Sequence, residues 1–246
     1  MEMRAIPPAV TPVKITDLLS AVGAYTGEYS LETPNFADFI GLKEVYTYSS
    51  WGGGLREAII NLKRIAKTTK NEVIIPRFCC PTFLKAVRDA DQTFIKLGIR
   101  RINISKDINS VKQSLSDKTL ALVAINHFGL ANDMQKLKEF CSQHSIFLIE
   151  DATYSMGTEL RSGPVGSFGD ISVFNFREGK AIPVGGGAIG VNSERIKNNY
   201  RRLHQEPTTS PVGKILAYSI LQHPTLFYLY KGLTNPQLLE CNVLQN

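Results

Sequence analysis

The absences in this 246-residue chain already exclude several classes of protein. No stretch reaches the roughly 18 uninterrupted apolar residues that a bilayer-spanning helix needs. The most apolar segment, ILAYSILQHPTLFYLY at 215–230, is cut by Gln222, His223 and Pro224. It reads as a buried helical hairpin rather than a membrane anchor. Only four cysteines occur, Cys79, Cys80, Cys141 and Cys241. Their spacing fits neither a zinc site nor a disulfide framework, which points to a reducing compartment. The opening MEMRAIPPAVTP has no apolar core and is broken by prolines, so it does not read as a signal peptide, and a cytoplasmic location is expected. Basic residues outnumber acidic ones, 28 to 22, for a net charge of +6, yet they are scattered and form no nucleic-acid footprint. That balance favours an anionic ligand over a cationic one.

What is present is an alternation of short apolar runs with helical patterns. The strand-like runs are Val45–Tyr48, Glu72–Pro76, Thr93–Leu97, Arg101–Ile104, Thr119–Asn126, Ser145–Glu150, Asp170–Phe176 and Ala188–Val191. Apolar spacing predicts helices at Gly54–Ala66, Pro81–Ala90 and Asn132–His144, with a shorter helical patch near Ile15–Val22. Strands that alternate with helices need crossover connections, so the expected fold is α/β, a mainly parallel sheet with helices on both faces. Ligands of such sheets collect beyond the carboxyl ends of the strands. Those ends are Ser49–Gly54, Phe78–Pro81, His127–Gly129, Asp151–Tyr154 and Asn175–Lys180. They hold one strong acid, one amine, two glycine-rich turns and small polar groups, with no Ser–His–Asp set and no metal cluster.

Asp151 ends the strand IFLIE, and Lys180 ends FNFREGK. An acid and a lysine from two strand ends are what a pyridoxal-phosphate enzyme needs. The carboxylate keeps the ring nitrogen protonated, and the amine forms a Schiff base and then shuttles a proton. On its own this pair is common in α/β proteins.

The surrounding motifs are more specific. SFGDISVFNFREGKAIPVGGGAIGV resembles the DegT/DnrJ/StrS-type sugar aminotransferases, whose pattern is G-D, then F-S-F-x-x-x-K, a spacer and G-G-A. Gly169, Asp170, Phe174, Phe176, Lys180, Gly186, Gly187 and Ala188 fall in register. INHFGLANDMQKLKEFCSQHSIFLIEDA is similar to the family's H-x-y-G-x-x-x-D-M stretch, helix and I-E-D-A; EVIIPRFCCPTFLKAV resembles its V-I-x-P segment. The resemblance covers residues 40–205. It implies the large domain of fold type I, in a PLP-dependent enzyme that moves an amino group to a keto group on a nucleotide-linked sugar. The implied donor is glutamate, the implied product serves polysaccharide or surface-glycan synthesis, and the implied assembly is a homodimer.

The resemblance also implies roles for single residues. Lys180 is the Schiff-base lysine and Asp151 the pyridinium partner. Asn175 stands where a phosphate-binding serine is usual, and Ser50, Trp51 and Gly52 stand at the phosphate-holding turn that usually reads S-G-T. Tyr154 replaces a glutamine that contacts the phenolic oxygen. Cys80 stands where many relatives stack an aromatic ring on the cofactor, a part Phe78 could take. His127 fits the histidine of H-x-y-G, as a cofactor contact or as a satisfied structural residue. Lys180 argues against the dehydratase branch, which usually carries histidine there. The expected organisation is an N-terminal arm (1–40), a PLP-binding large domain (41–205) and an apolar helical tail (206–246) that opens a C-terminal region largely absent here. That last feature keeps a non-catalytic remnant of the family as the alternative reading.

Overall fold

A computed structural model of the chain describes residues 16, 36–98, 103–177, 180–182 and 185–203. The chain divides into two units. The larger comprises Thr33–Arg177 and Gly185–Thr208; the described residues 16 and 180–182 belong to the smaller.

The larger unit is built on β1 (Glu44–Tyr48), β2 (Glu72–Pro76), β3 (Thr93–Leu97), β4 (Thr119–Ile125), β5 (Phe147–Asp151), β8 (Ile171–Asn175) and β9 (Gly187–Val191). They form a seven-stranded sheet in the order β1-β9-β8-β5-β4-β2-β3. The five strands from β8 to β3 are mutually parallel, whereas β9 runs antiparallel to both β8 and β1. A small antiparallel pair, β6 (Glu159–Leu160) and β7 (Gly163–Pro164), lies outside that sheet. Every residue of β4, TLALVAI, is buried, as expected of a central parallel strand covered on both faces.

The covering helices follow from the apolar periods. On one face, α2 (Trp51–Ala66) contributes Leu55, Ala58, Ile59 and Leu62, and α3 (Pro81–Asp89) contributes Phe83, Ala86 and Val87. These pack on Val73, Ile75, Ala121, Val123, Ile149 and Val173 of the sheet. On the other face, α5 (Met134–Gln143) packs Met134, Leu137, Phe140 and Cys141 on Ile74, Leu122, Ala124 and Leu148. A short α1 (Phe36–Ile40) adds Ala37 and Ile40 to a third cluster with Leu42, Phe174 and Ala188. Core packing therefore begins ahead of residue 41, inside the segment expected to be an arm.

Of the expected strand Arg101–Ile104, residues 101 and 102 lie outside the described residues. Ile104 opens a 3₁₀ turn, Ile104–Asp107, leading into α4 (Ile108–Gln113). Ile104 and Ser105 donate their main-chain N–H groups to Asn132 Oδ1 at 2.8 and 3.3 Å, so a side chain supplies the acceptors that a strand neighbour would have given. The last of the described helices is α6 (Glu194–Lys197), capped by Ser193. Thr16 is helical; the rest of the patch near Ile15–Val22 and the apolar segment 215–230 lie outside the described residues. Among the described residues no helix is long and apolar enough to cross a membrane.

The approach of α2 to the sheet is set by glycine. A Cβ on Gly187 would lie 2.4 Å from Trp51 Cβ and 2.5 Å from the Phe174 carbonyl oxygen. Interiors at crystal-like density cannot yield that much room without moving backbone. Gly187→Ala should therefore destabilise the fold by about 1–3 kcal/mol, the usual overpacking cost. Urea unfolding would show it as a lowered midpoint at unchanged slope; an unchanged midpoint would contradict the packing described.

Candidate active site at the carboxyl edge of the sheet

Two helices begin beside each other at the carboxyl edge. Ser50 is the N-cap of α2, with extended backbone, and its Oγ accepts from Gly53 N at 3.4 Å. Cys80 is the N-cap of α3, followed by Pro81 in the first helical position. Gly52 brings the two starts together, because a Cβ there would sit 2.6 Å from Thr82 Cγ2. Two helix N-termini facing one edge concentrate unpaired N–H groups and partial positive charge, which suits an anion such as a phosphate. Trp51 contributes only main chain to this edge. Its indole is buried and meets Phe83 edge-on at 5.3 Å, so the side chain belongs to the core.

Asp151 ends β5 and is buried. Its Oδ1 accepts from Thr153 N at 2.9 Å, and the Thr153 hydroxyl in turn accepts from Asn175 N at 3.1 Å, which ties the ends of β5 and β8. The side-chain oxygen of Asn175 accepts from Arg177 N, leaving Nδ2 as the donor end of the amide.

A ladder of rings runs beside these groups. Phe78 and His127 are 5.1 Å apart, His127 and Phe128 5.7 Å, Phe128 and Tyr154 5.8 Å. Phe78, Phe128 and Tyr154 are all exposed, while His127 is buried. Phe128 holds a left-handed backbone, φ 54°, which is costly for a bulky residue. Gly129 follows at φ 77° and donates its N–H to the Tyr154 carbonyl at 3.0 Å, locking the turn over the segment after β5. Burial pushes the His127 imidazole below its ordinary value, against the opposing effects of a hydrogen bond to the Phe78 carbonyl and the charge of Asp151. His127 is therefore both packed and adjacent to the acid.

One assignment needs correction. Gly129 lies only two residues after His127, so the H-x-y-G spacing falls on Asn126. Strand alternation turns Asn126 toward the face of Glu150, where its Nδ2 donates to Glu150 Oε1 at 3.1 Å.

Cys80 is exposed, with Sγ 3.5 Å from Thr82 Oγ1, and Cys79 is half-buried with its thiol pushed up chiefly by desolvation. Among the described residues no His, Cys, Asp or Glu group could hold a metal ion, and Cys79, Cys80 and Cys141 are free. Lys180 is half-buried in a bend of the smaller unit. Sequence reasoning missed Thr82, Phe128 and Thr153, which act through neighbours that only the folded chain supplies. A cavity of about 520 Å³ opens elsewhere, beside Ser105, Lys106, Lys136 and Arg161, and includes none of the residues named from the sequence.

The chain is similar to several known proteins. The chain is 30% identical over 189 residues to GDP-perosamine synthase of Vibrio cholerae, across 76% of its own length and 50% of that protein's. PseC of Helicobacter pylori, an aminotransferase involved in the biosynthesis of pseudoaminic acid, superposes with a TM-score of 0.67 at 19% identity, over 90% of this chain and 66% of that one. A GDP-4-keto-6-deoxymannose-3-dehydratase with a trapped PLP-glutamate geminal diamine superposes with a TM-score of 0.64 at 24% identity, over 78% and 53%. These structures share the fold, the large domain of fold type I. The chain spans about half the length of the curated relative it matches at 30% identity. The model of the DegT/DnrJ/EryC1/StrS aminotransferase family matches residues 10–215, and the chain belongs to that family.

Proposed function

We propose that this chain forms the cofactor-binding part of a pyridoxal-phosphate-dependent sugar aminotransferase. The reaction would move an amino group from glutamate to a keto carbon of a nucleotide-linked sugar. The observation that carries the reading is the buried Asp151 carboxylate at the same sheet edge as two adjoining helix N-termini. This donor set fits the group. A buried carboxylate matches a protonated ring nitrogen, and the Ser50–Gly52 turn with Thr82 matches a phosphate. The relatives support the substrate class, since one is a GDP-perosamine synthase and another structure holds a PLP-glutamate adduct.

Bound pyridoxal phosphate supplies an electron sink for the pair released when the donor's α-proton leaves. The protein's part is binding and proton control. Asp151 holds a proton at the ring nitrogen. Ser50, the Gly52 amide and Asn175 Nδ2 bind the phosphate, and Tyr154 can donate to the phenolic oxygen. Phe78 and His127 offer flat surfaces near the edge, and Cys80, at a helix start, leaves more room there than an aromatic ring would. Lys180 would be the lysine that carries the cofactor, and its amine would serve as the base that takes up the donor's proton. Residues 41–205 would be the cofactor domain, acting in the cytoplasm as one half of a homodimer.

The purified chain should show a visible absorption band with pyridoxal phosphate, and borohydride should fix the cofactor on the peptide that contains Lys180. Label on another lysine, or a band that survives in Lys180→Ala, would sink the assignment. A chain that takes up no cofactor would instead be the non-catalytic relative.

Asp151→Asn should bind the cofactor more weakly, by about 1.5–3 kcal/mol for one lost charge-assisted hydrogen bond, and lose transamination. Unchanged turnover of glutamate would remove Asp151 from the mechanism.

His127 provides a pH test. Its depressed imidazole takes up a proton in the unfolded chain first, so its contribution to stability is full above about pH 6.5 and is lost as pH falls through its folded value. The NMR titration midpoint of His127 should lie below about 6.5. A midpoint at or above that figure would contradict the burial described.

A further inference from the structure

Glu150 precedes Asp151 in β5 and points to the opposite face, fully buried. Its two oxygens meet four donors. Oε1 accepts from Gly166 N at 2.8 Å and Asn126 Nδ2 at 3.1 Å; Oε2 accepts from Phe168 N at 2.9 Å and Gly169 N at 3.0 Å. Burial raises its pKa and the four N–H groups pull against that rise. Four donors around two oxygens match an ionised carboxylate, which accepts at both oxygens and donates at neither.

Asn126 is the link between this charge and the site. With Nδ2 committed to Glu150, its Oδ1 faces Asn132 and accepts from Asn132 N at 2.9 Å and Nδ2 at 3.1 Å. Its main chain spans the two strands that carry the acid and the ring ladder. Asn126 N donates to the Asp151 carbonyl at 3.0 Å, and Ser155 Oγ donates to the Asn126 carbonyl at 3.0 Å. The next residues in the chain are His127 and Phe128. A neutral amide alone could flip; a buried anion on one side and an N–H on the other leave it one orientation.

We infer that Glu150 and Asn126 are positioning residues for the site, a buried brace that fixes the carboxyl ends of β4 and β5 so that His127 and Asp151 keep their mutual geometry. The inference rests on the reading of Asp151 as the cofactor's partner. Its first readout, however, needs no cofactor, because the His127 midpoint senses the Asp151 charge directly.

The experiment compares Glu150→Gln, Asn126→Ser and Asp170→Asn in the full chain. Glutamine at 150 must turn its NH₂ toward two N–H donors whichever way it lies. Serine at 126 removes the amide and leaves the strand. Asp170 is the control, a half-buried carboxylate that accepts from Leu148 N, in β5 but away from its carboxyl end, at 2.8 Å. All three should lower the melting temperature. Only the first two should shift the His127 midpoint, by a few tenths of a pH unit, and weaken pyridoxal phosphate binding roughly tenfold, about 1.4 kcal/mol. If Glu150→Gln does not fold, Asn126→Ser decides. An unmoved midpoint in the folded brace variants, or an equal shift in Asp170→Asn, would overturn the inference by making the role one of stability alone. A moved midpoint in a chain that binds no cofactor would keep the brace and reject the proposed function instead.

Discussion

The alternation of side chains along β5 is the constraint on which the site depends. Successive residues of a strand face opposite ways, so two adjacent carboxylates, Glu150 and Asp151, enter different environments. Glu150 faces a turn whose main-chain N–H groups satisfy it completely, and there it holds together Asn126 and the segment Gly166–Gly169. Asp151 faces the edge where Thr153 and Asn175 close the neighbouring strand end. A slip of one residue in β5 would exchange these environments, placing a fully desolvated carboxylate without its donors. Nothing else at the edge could keep its arrangement after that.

Close packing on the opposite side of the sheet is what lets two helix starts share one edge. Glycines at 52, 54 and 187 each sit where a Cβ would fall within 3 Å of Thr82, Tyr48 or Trp51. Glycine lowers the helix propensity of the first turn of α2, and Ser50 offsets part of that cost by capping it. The result is a helix start drawn tightly against β9 and against α3, with its N–H groups directed at the edge. The antiparallel β9 is essential here, because it is the strand that Trp51 abuts.

The chain exit is tied down by a separate polar cluster. Tyr48 donates to Glu57 at 2.6 Å and meets the Tyr200 hydroxyl at 3.0 Å, all three buried. Asn61 pairs with the main chain of Arg201 through both ends of its amide. Arg202 lies over the Tyr48 ring at 5.1 Å. Burial, reinforced by Glu57, pushes the Tyr200 hydroxyl well above its ordinary value. These residues couple the end of the described chain to β1 and to the helix start at Ser50, so the candidate phosphate turn is braced from behind.

Local chemistry made much of this legible in the amino-acid sequence. Apolar runs marked the strands, the spacing in ten-residue windows marked α2, α3 and α5, and the run from Ser167 to Val191 carried the family. Asp151, Ser50, Gly52 and Asn175 are identifiable as candidates because each sits beside a strand end or a glycine turn, features with short-range signatures. Two of the failures share a cause. Ile104 reads as the end of a strand, but Asn132, 28 residues away, supplies the acceptor that makes it a 3₁₀ start. The H-x-y-G spacing falls on Asn126 by counting back from Gly129, a register the sequence itself contains; the pairing with β5 decides only which way Asn126 and His127 face. Trp51 reads as a site residue from its position, but Gly187 and Phe83, remote in the chain, draw its indole into the core. Residue types and spacings by themselves determined the fold class and the chemistry available. Which side chains face the site was decided by the tertiary structure, since orientation depends on partners brought together only when the sheet closes.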